Sequence, residues 1–169
     1  MDEDNRKNLL LWAEKAAIEN IKAHHASTDI IAKEAATTLT VFLAAMGGGF
    51  AFAMKALDSN GWTWLAVGAS VFAGWFLVLS ALLVTKCLKV RALPPMFNEP
   101  DNLYMPQHAY LDVLESELKG FQRRIEAIGK ENGRVVRWLN GLRLAAVLSP
   151  APTALAAGCL AWSARAVGG

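Results

Sequence analysis

Apolar residues are unevenly spread along this chain: they collect in three windows, 35–54, 59–85 and 144–164, that hold no charged residue. The windows are 20, 27 and 21 residues long. A helix needs about 20 mostly apolar residues to cross a hydrocarbon core of about 30 Å. Each window therefore predicts a membrane span. The second is long enough for tilt or an interfacial start, and its span is placed at 61–85. Trp62 and Trp64 open it and Trp162 closes the third window, at the headgroup level that amphipathic indoles favour. Three helices buried in a soluble fold are the competing reading, but a water-soluble helix normally keeps one polar face.

The segments between the windows have other periods. Residues 5–34 lack Gly and Pro and are rich in Ala, Leu, Lys and Glu, which predicts a helix. Asp2, Glu3 and Asp4 stand where a helix N-terminus favours negative charge. Leu11, Ile18, Ile21, His25 and Ala32 fall on one stripe, and the helix is expected to run into the first span unbroken. Residues 92–107 hold four of the six prolines and predict a loop. From there Leu111, Leu114, Leu118, Phe121, Ile125, Ile128 and Asn132 are spaced alternately three and four apart, and the register continues to Leu142. This heptad pattern carries one polar core residue, Asn132, of the kind that fixes register and oligomer state. A helix over 108–142 of about 50 Å must pack against a copy of itself or against the N-terminal helix. Self-association is the favoured expectation.

Overall composition hides this division. The chain is 54% apolar and 19% charged, with 17 Lys and Arg against 15 Asp and Glu, which excludes disorder and says nothing about partners. Position says more. Residues 1–34 carry five Lys or Arg and 86–143 carry ten, whereas the expected turn at 55–60 has only Lys55 and the tail only Arg165. By the positive-inside rule the N-terminus and 86–143 are cytoplasmic, and the 55–60 turn and the C-terminus lie outside. The acidic start and the late first span predict no cleavable signal segment. The expected organisation is an all-α membrane protein, homo-oligomeric, in four segments. These are a cytoplasmic helix (1–34), a transmembrane hairpin (35–85), a proline-rich loop with a coiled-coil stalk (86–143), and a third span with a short tail (144–169).

Candidate chemistry follows the charges. Arg123, Lys130 and Arg137 are seven apart and share one outward position, flanked by Arg124 and Arg134. Such a stripe can hold the phosphates of an oligonucleotide or cyclic nucleotide. It can equally be a solvated face near anionic lipid. No ionisable group lies inside a span, so a proton-coupled transporter is not expected. A pore built from several copies needs no such group, since hydroxyls and backbone can line it. Thr37, Thr38 and Thr40 cluster at the cytoplasmic end of the first span, with Gly48 further along and Lys33 and Glu34 as mouth rings. Plain helix packing through Ala45, Gly49 and Ala53 is the competing use of the small residues. The three histidines and two cysteines lack metal-ligand spacing, and neither a phosphate-cradling glycine loop nor a nucleophile elbow occurs. No enzyme, cofactor or metal is expected.

The cytoplasmic lead helix (5–34), the tight two-span hairpin (35–85), the long cytoplasmic helix (108–142) and the re-entering third span together resemble the small transmembrane effectors of bacterial anti-phage systems. That group includes SLATT-type proteins, Pycsar transmembrane effectors and, most similar in layout, the Hailong-type channel effector. The resemblance covers the whole chain through architecture and no diagnostic motif. It implies a homo-oligomeric inner-membrane ion channel, such as a tetramer, whose opening depolarises the membrane and arrests growth. It also implies control by a cyclic nucleotide or DNA oligomer made by a partner nucleotidyltransferase. A holin-like lysis protein and a non-conducting scaffold anchoring a partner through the coiled coil remain the alternatives. The segment Asn98–Leu103 is distinctive but has no assigned role at this point.

Overall fold

A computed structural model describes residues 2–60, 63–90 and 92–167. Every regular element among them is helical: α1 (Glu3–Asn60), α2 (Trp64–Leu83) followed directly by a π-helical turn (Val84–Leu88), α3 (Pro100–Leu103), α4 (Tyr110–Val147) and α5 (Pro150–Val167). The chain forms two compact units, one of Met1–Ile31 with Val90–Arg134 and one of Ala32–Lys89 with Val135–Gly169. The segments read from charge, with borders at 34/35 and 143/144, follow composition, whereas these units follow packing, with borders at 31/32 and 134/135. Packing defines a unit, and both α1 and α4 contribute to each.

In the first unit α1 and α4 run parallel. Arg6 donates to Asp112 and Glu115 near the start of both helices, and His24 and Thr28 meet Asn132 further along. Leu114, Phe121 and Ile128 are buried at seven-residue intervals, with Ile21 of α1 fully enclosed. The heptad stripe is therefore a seam within one chain. Leu111, Leu118, Ile125 and Asn132 flank it, half-buried. The N-terminal helix has the same period and lies beside the stripe, as one of the two packing partners expected for it. Of the expected stripe of α1, Ile21 is buried and Ile18 and His25 are half-buried, whereas Leu11 and Ala32 are exposed; Leu10, Ala17, His24 and Ile31, half-buried, extend the packed side on its other edge.

In the second unit α2 runs antiparallel to α1. The rings of Phe42 and Phe76 meet edge to face at 5.5 Å, and Gly49 lies against Ala69, Phe72 and Ala73. The α2 helix is also antiparallel to α4 and α5: Trp75 Nε1 donates to the Ala145 carbonyl at 3.2 Å, and Gly68 faces Ala157. Small residues at these crossings let the backbones approach closely.

Two helices, α1 and α2 with its π-helical turn, are long and apolar enough to cross a membrane, and a third candidate is the bent pair α4 and α5. The expected third span is not one continuous helix. Residues Leu144–Val147 end α4, and α5 departs at 41°. Pro150 and Pro152 are the reason, since proline lacks the N–H that an unbroken helix needs and its ring clashes with the preceding turn. The expected turn at 55–60 is also corrected: α1 stays helical to Asn60, and Thr63 then caps α2 by accepting from the Ala66 amide at 3.3 Å. Trp64 and Trp162 are exposed, whereas Trp62 and the Arg165 side chain lie outside the described residues.

Candidate functional site

The charge-free half of α1, long and apolar enough to cross a membrane, carries two different faces. The packed face holds Ala35, Thr38, Phe42 and Ala53, all buried. On the opposite side Lys33, Thr37, Thr40, Ala44, Gly47, Gly48 and Ala51 are exposed, and helical periodicity places them on one strip. Exposed Val41, Leu43, Phe50 and Phe52 border that strip. The sequence-nominated pore residues therefore separate. Lys33, Thr37, Thr40 and Gly48 share the strip, while Glu34 and Thr38 turn toward α4. A one-residue step rotates a helix by about 100°, so consecutive positions could not all face one axis.

Thr38 and Glu34 are engaged by Arg143. The Arg143 Nε and Nη2 donate to Thr38 Oγ1 at 3.0 and 2.8 Å, and Nη2 donates to Glu34 Oε2 at 2.6 Å. Thr38 is only 6% exposed, and its own hydroxyl donates to the Glu34 carbonyl at 2.8 Å. The result is a closed polar cluster where the charge-free part of α1 begins. Arg143 was legible in the sequence only as a cation. The signal missed was its position, the last charge before the third apolar window.

The exposed threonines are partly committed too. Thr37 Oγ1 donates to the Lys33 carbonyl at 3.0 Å and Thr40 Oγ1 to the Ala36 carbonyl at 3.2 Å. Their protons point along the helix, so each oxygen presents lone pairs outward. With Glu34 held by Arg143, Lys33 is the one formal charge on the strip.

The basic residues of α4 separate in the same way. Arg123 and Lys130 in the first unit and Arg137 in the second are exposed. Arg134 is exposed and paired with Glu131 at 2.7 Å. Arg124 instead turns inward: it pairs with Glu117, the two side chains being 13% and 10% exposed, and its guanidinium lies 4.6 Å from the centre of the Phe121 ring. The Phe121 ring and the acid at 117 draw it in, so Arg124 is structural and leaves the outward stripe.

Cys87 is buried, with its thiol donating to the Val135 carbonyl at 3.9 Å, and Cys159 is exposed. No family model, curated protein or solved structure matches the chain. The functional reading rests on its own geometry.

Proposed function

We propose that the protein is the subunit of a homo-oligomeric ion-conducting pore in a bacterial inner membrane. In this reading it acts as an anti-phage effector whose opening depolarises the cell and is controlled from the cytoplasmic side by a nucleotide or DNA-oligomer signal. The observation that carries the pore is the exposed strip of α1. Small and hydroxyl side chains run from Lys33 to Ala51 on a helix long and apolar enough to span. Large exposed apolar side chains border the strip on both sides and suit contact with neighbouring helices or lipid. Several copies with this strip toward a common axis would form a lining of hydroxyl oxygens and backbone, with a ring of Lys33 at its inner mouth. The heptad residues are already used within one chain, so assembly in this reading falls to the membrane helices.

The orientation follows the charge asymmetry: the N-terminus and residues 86–143 face the cytoplasm and the C-terminus the periplasm. Planar-bilayer recording of the purified protein, with and without short DNA oligomers, tests the reading. Discrete conductance steps that respond to the oligomer are expected. Membranes that stay electrically silent, together with harmless overexpression, would favour a non-conducting scaffold, and cell lysis on expression would favour a holin-like protein.

A further inference from the structure

Beneath the proline-rich loop, two hollows of the first unit adjoin. One, of about 370 Å³, is mainly apolar and includes Phe97, Tyr104, Tyr110 and Phe121 in its wall. The other, of about 430 Å³, is mainly polar and is lined by Asn98, Asn102, Ser116, Lys119 and Arg123. They share Leu103, Met105, Val113 and Glu117 as a common wall. Each lies within the about 300–1,000 Å³ typical of small-molecule sites. The segment left without a role in the sequence forms the roof. Asn98 donates to Glu117 at 3.5 Å and its Oδ1 accepts from the Glu99 amide at 3.2 Å, fastening α3 over α4.

The charges give the pair of hollows a direction. Glu14 and Glu117 line the apolar hollow, and Glu117 is already neutralised by Arg124. No Lys or Arg lines that hollow and His108 is its one basic side chain, so its charges do not favour an anionic group there. In the polar hollow Arg123 has no ion-pair partner among the described residues, and Lys119 is held by half-buried Glu115 at 3.3 Å, a carboxylate it shares with Arg6. Two amides and the Ser116 hydroxyl join them, and Glu117, the carboxylate of this lining, is paired with Arg124, which leaves a wall suited to phosphate. Four aromatic rings in the neighbouring wall suit a planar ring.

We infer that the paired hollows bind a small phosphate monoester that carries a planar aryl ring, with the ring among Phe97, Tyr104 and Tyr110 and the phosphate against Lys119 and Arg123. Nucleotides, in which a sugar joins the base to the phosphate, and simple aryl phosphates both present this pair of groups. The inference deepens the ligand half of the proposed function and rests on it for the regulatory role alone.

Full-length protein in lipid nanodiscs, titrated separately with adenosine monophosphate, naphthyl phosphate and inorganic phosphate, tests the assignment. Saturable binding of either aryl compound is expected, and whichever binds names the source. Inorganic phosphate, which lacks the ring, binds at least about tenfold more weakly. Arg123→Glu weakens aryl phosphate binding at least about tenfold, the scale of one charged hydrogen bond. Ser116→Trp fills the polar hollow and abolishes binding, and Tyr104→Ala weakens it; Tyr104 is 80% exposed, so the fold tolerates that change. Arg137→Glu, in the other unit, leaves binding unaltered. No saturable binding of either aryl compound, or binding undiminished in Arg123→Glu and Ser116→Trp, overturns the site. Conductance without binding leaves the pore reading standing, and binding without conductance leaves the site standing.

Discussion

Asn132 is bonded to Thr28 across the parallel seam of α1 and α4: its Oδ1 accepts from the Thr28 hydroxyl at 3.0 Å, while its Nδ2 donates to the His24 carbonyl at 3.2 Å. The one polar residue of the heptad register is thus satisfied by the chain's own N-terminal helix. Truncating one partner leaves the other's polar atoms without a bond, whereas replacing both with apolar groups removes the need for it. Asn132→Ala is expected to destabilise the first unit by about 1–3 kcal/mol. Thr28→Val combined with Asn132→Leu should recover most of that loss. Thermal unfolding of the detergent-solubilised protein, followed by circular dichroism, measures both.

The N-terminal end of the same seam is sensitive to acid. Glu115 is held below the usual carboxylate range by the hydrogen bond from Arg6 and then by Lys119, and Arg6 is raised further above neutrality by Glu115 and Asp112. A carboxylate with a lowered folded-state pKa contributes stability that is present above its unfolded value and lost as pH falls through the folded one. The contact should therefore hold throughout the neutral and mildly acidic range and loosen only below the ordinary carboxylate pKa. Hydrogen exchange at the first turns of α1, compared between pH 7 and strongly acidic conditions, is the measurement. Glu115→Gln should remove the contribution of this group to the pH dependence.

The two faces of α1 make opposite predictions for its glycines. A Cβ on Gly49 would come within 2.8 Å of the Phe72 ring, whereas Gly47 and Gly48 have nothing within 4 Å. Gly49→Ala should lower stability by about 1–3 kcal/mol, the usual cost of overpacking. Gly47→Ala and Gly48→Ala should be neutral or raise stability by up to about 1 kcal/mol through helix propensity. Melting temperatures of the three single variants decide the point.

Ion selectivity should follow Lys33 and ignore Glu34. On the pore reading, Lys33→Glu reverses the charge of the inner mouth and shifts the reversal potential toward cation selectivity under a salt gradient. Glu34→Gln should leave the reversal potential in place, because that carboxylate faces Arg143. Equal shifts in both variants would mean that the exposed strip does not line the conduction path.

Accessibility gives an independent check on the same strip. Cysteine introduced at Thr37, Thr40 or Gly48, in a background with Cys87 and Cys159 replaced, should allow block of the current by a charged thiol reagent. Cysteine at Val41, on the apolar border, should not.

Much of the architecture could be read from residue order. Spans at 35–54 and 61–85 need only a long run without charge, because burying an unpaired ion in hydrocarbon is costly whatever the neighbours are. The unbroken continuation of the first span from the N-terminal helix followed from the absence of Gly and Pro over 5–34. The partner of the heptad stripe was not legible, since Leu114, Phe121 and Ile128 would suit a second copy as well as α1. The candidate site was legible in part. Residue type groups Lys33, Thr37, Thr40 and Gly48 with Thr38 and Glu34, and only the contacts of Arg143 separate the last two from the strip. Arg124 has the charge of its neighbour Arg123 and the opposite environment, which a count of basic residues does not distinguish.

Taken alone, the sequence determined that the chain is helical, that its charges lie outside three apolar windows, and that 15 of its 17 basic residues flank those windows on one expected side. These are properties of composition along a line, set by the cost of moving charge and unpaired backbone out of water. Tertiary structure alone decided which side of each helix is occupied: α1 against the heptad seam, Arg143 against Thr38, Arg124 against Phe121, and the Asn98–Leu103 segment over two adjoining hollows. Apart from Arg124 and Phe121, neighbours one turn apart on α4, those outcomes depend on pairs of residues about 20 to 110 positions apart in the chain, and local period and propensity carry no information about such distant partners.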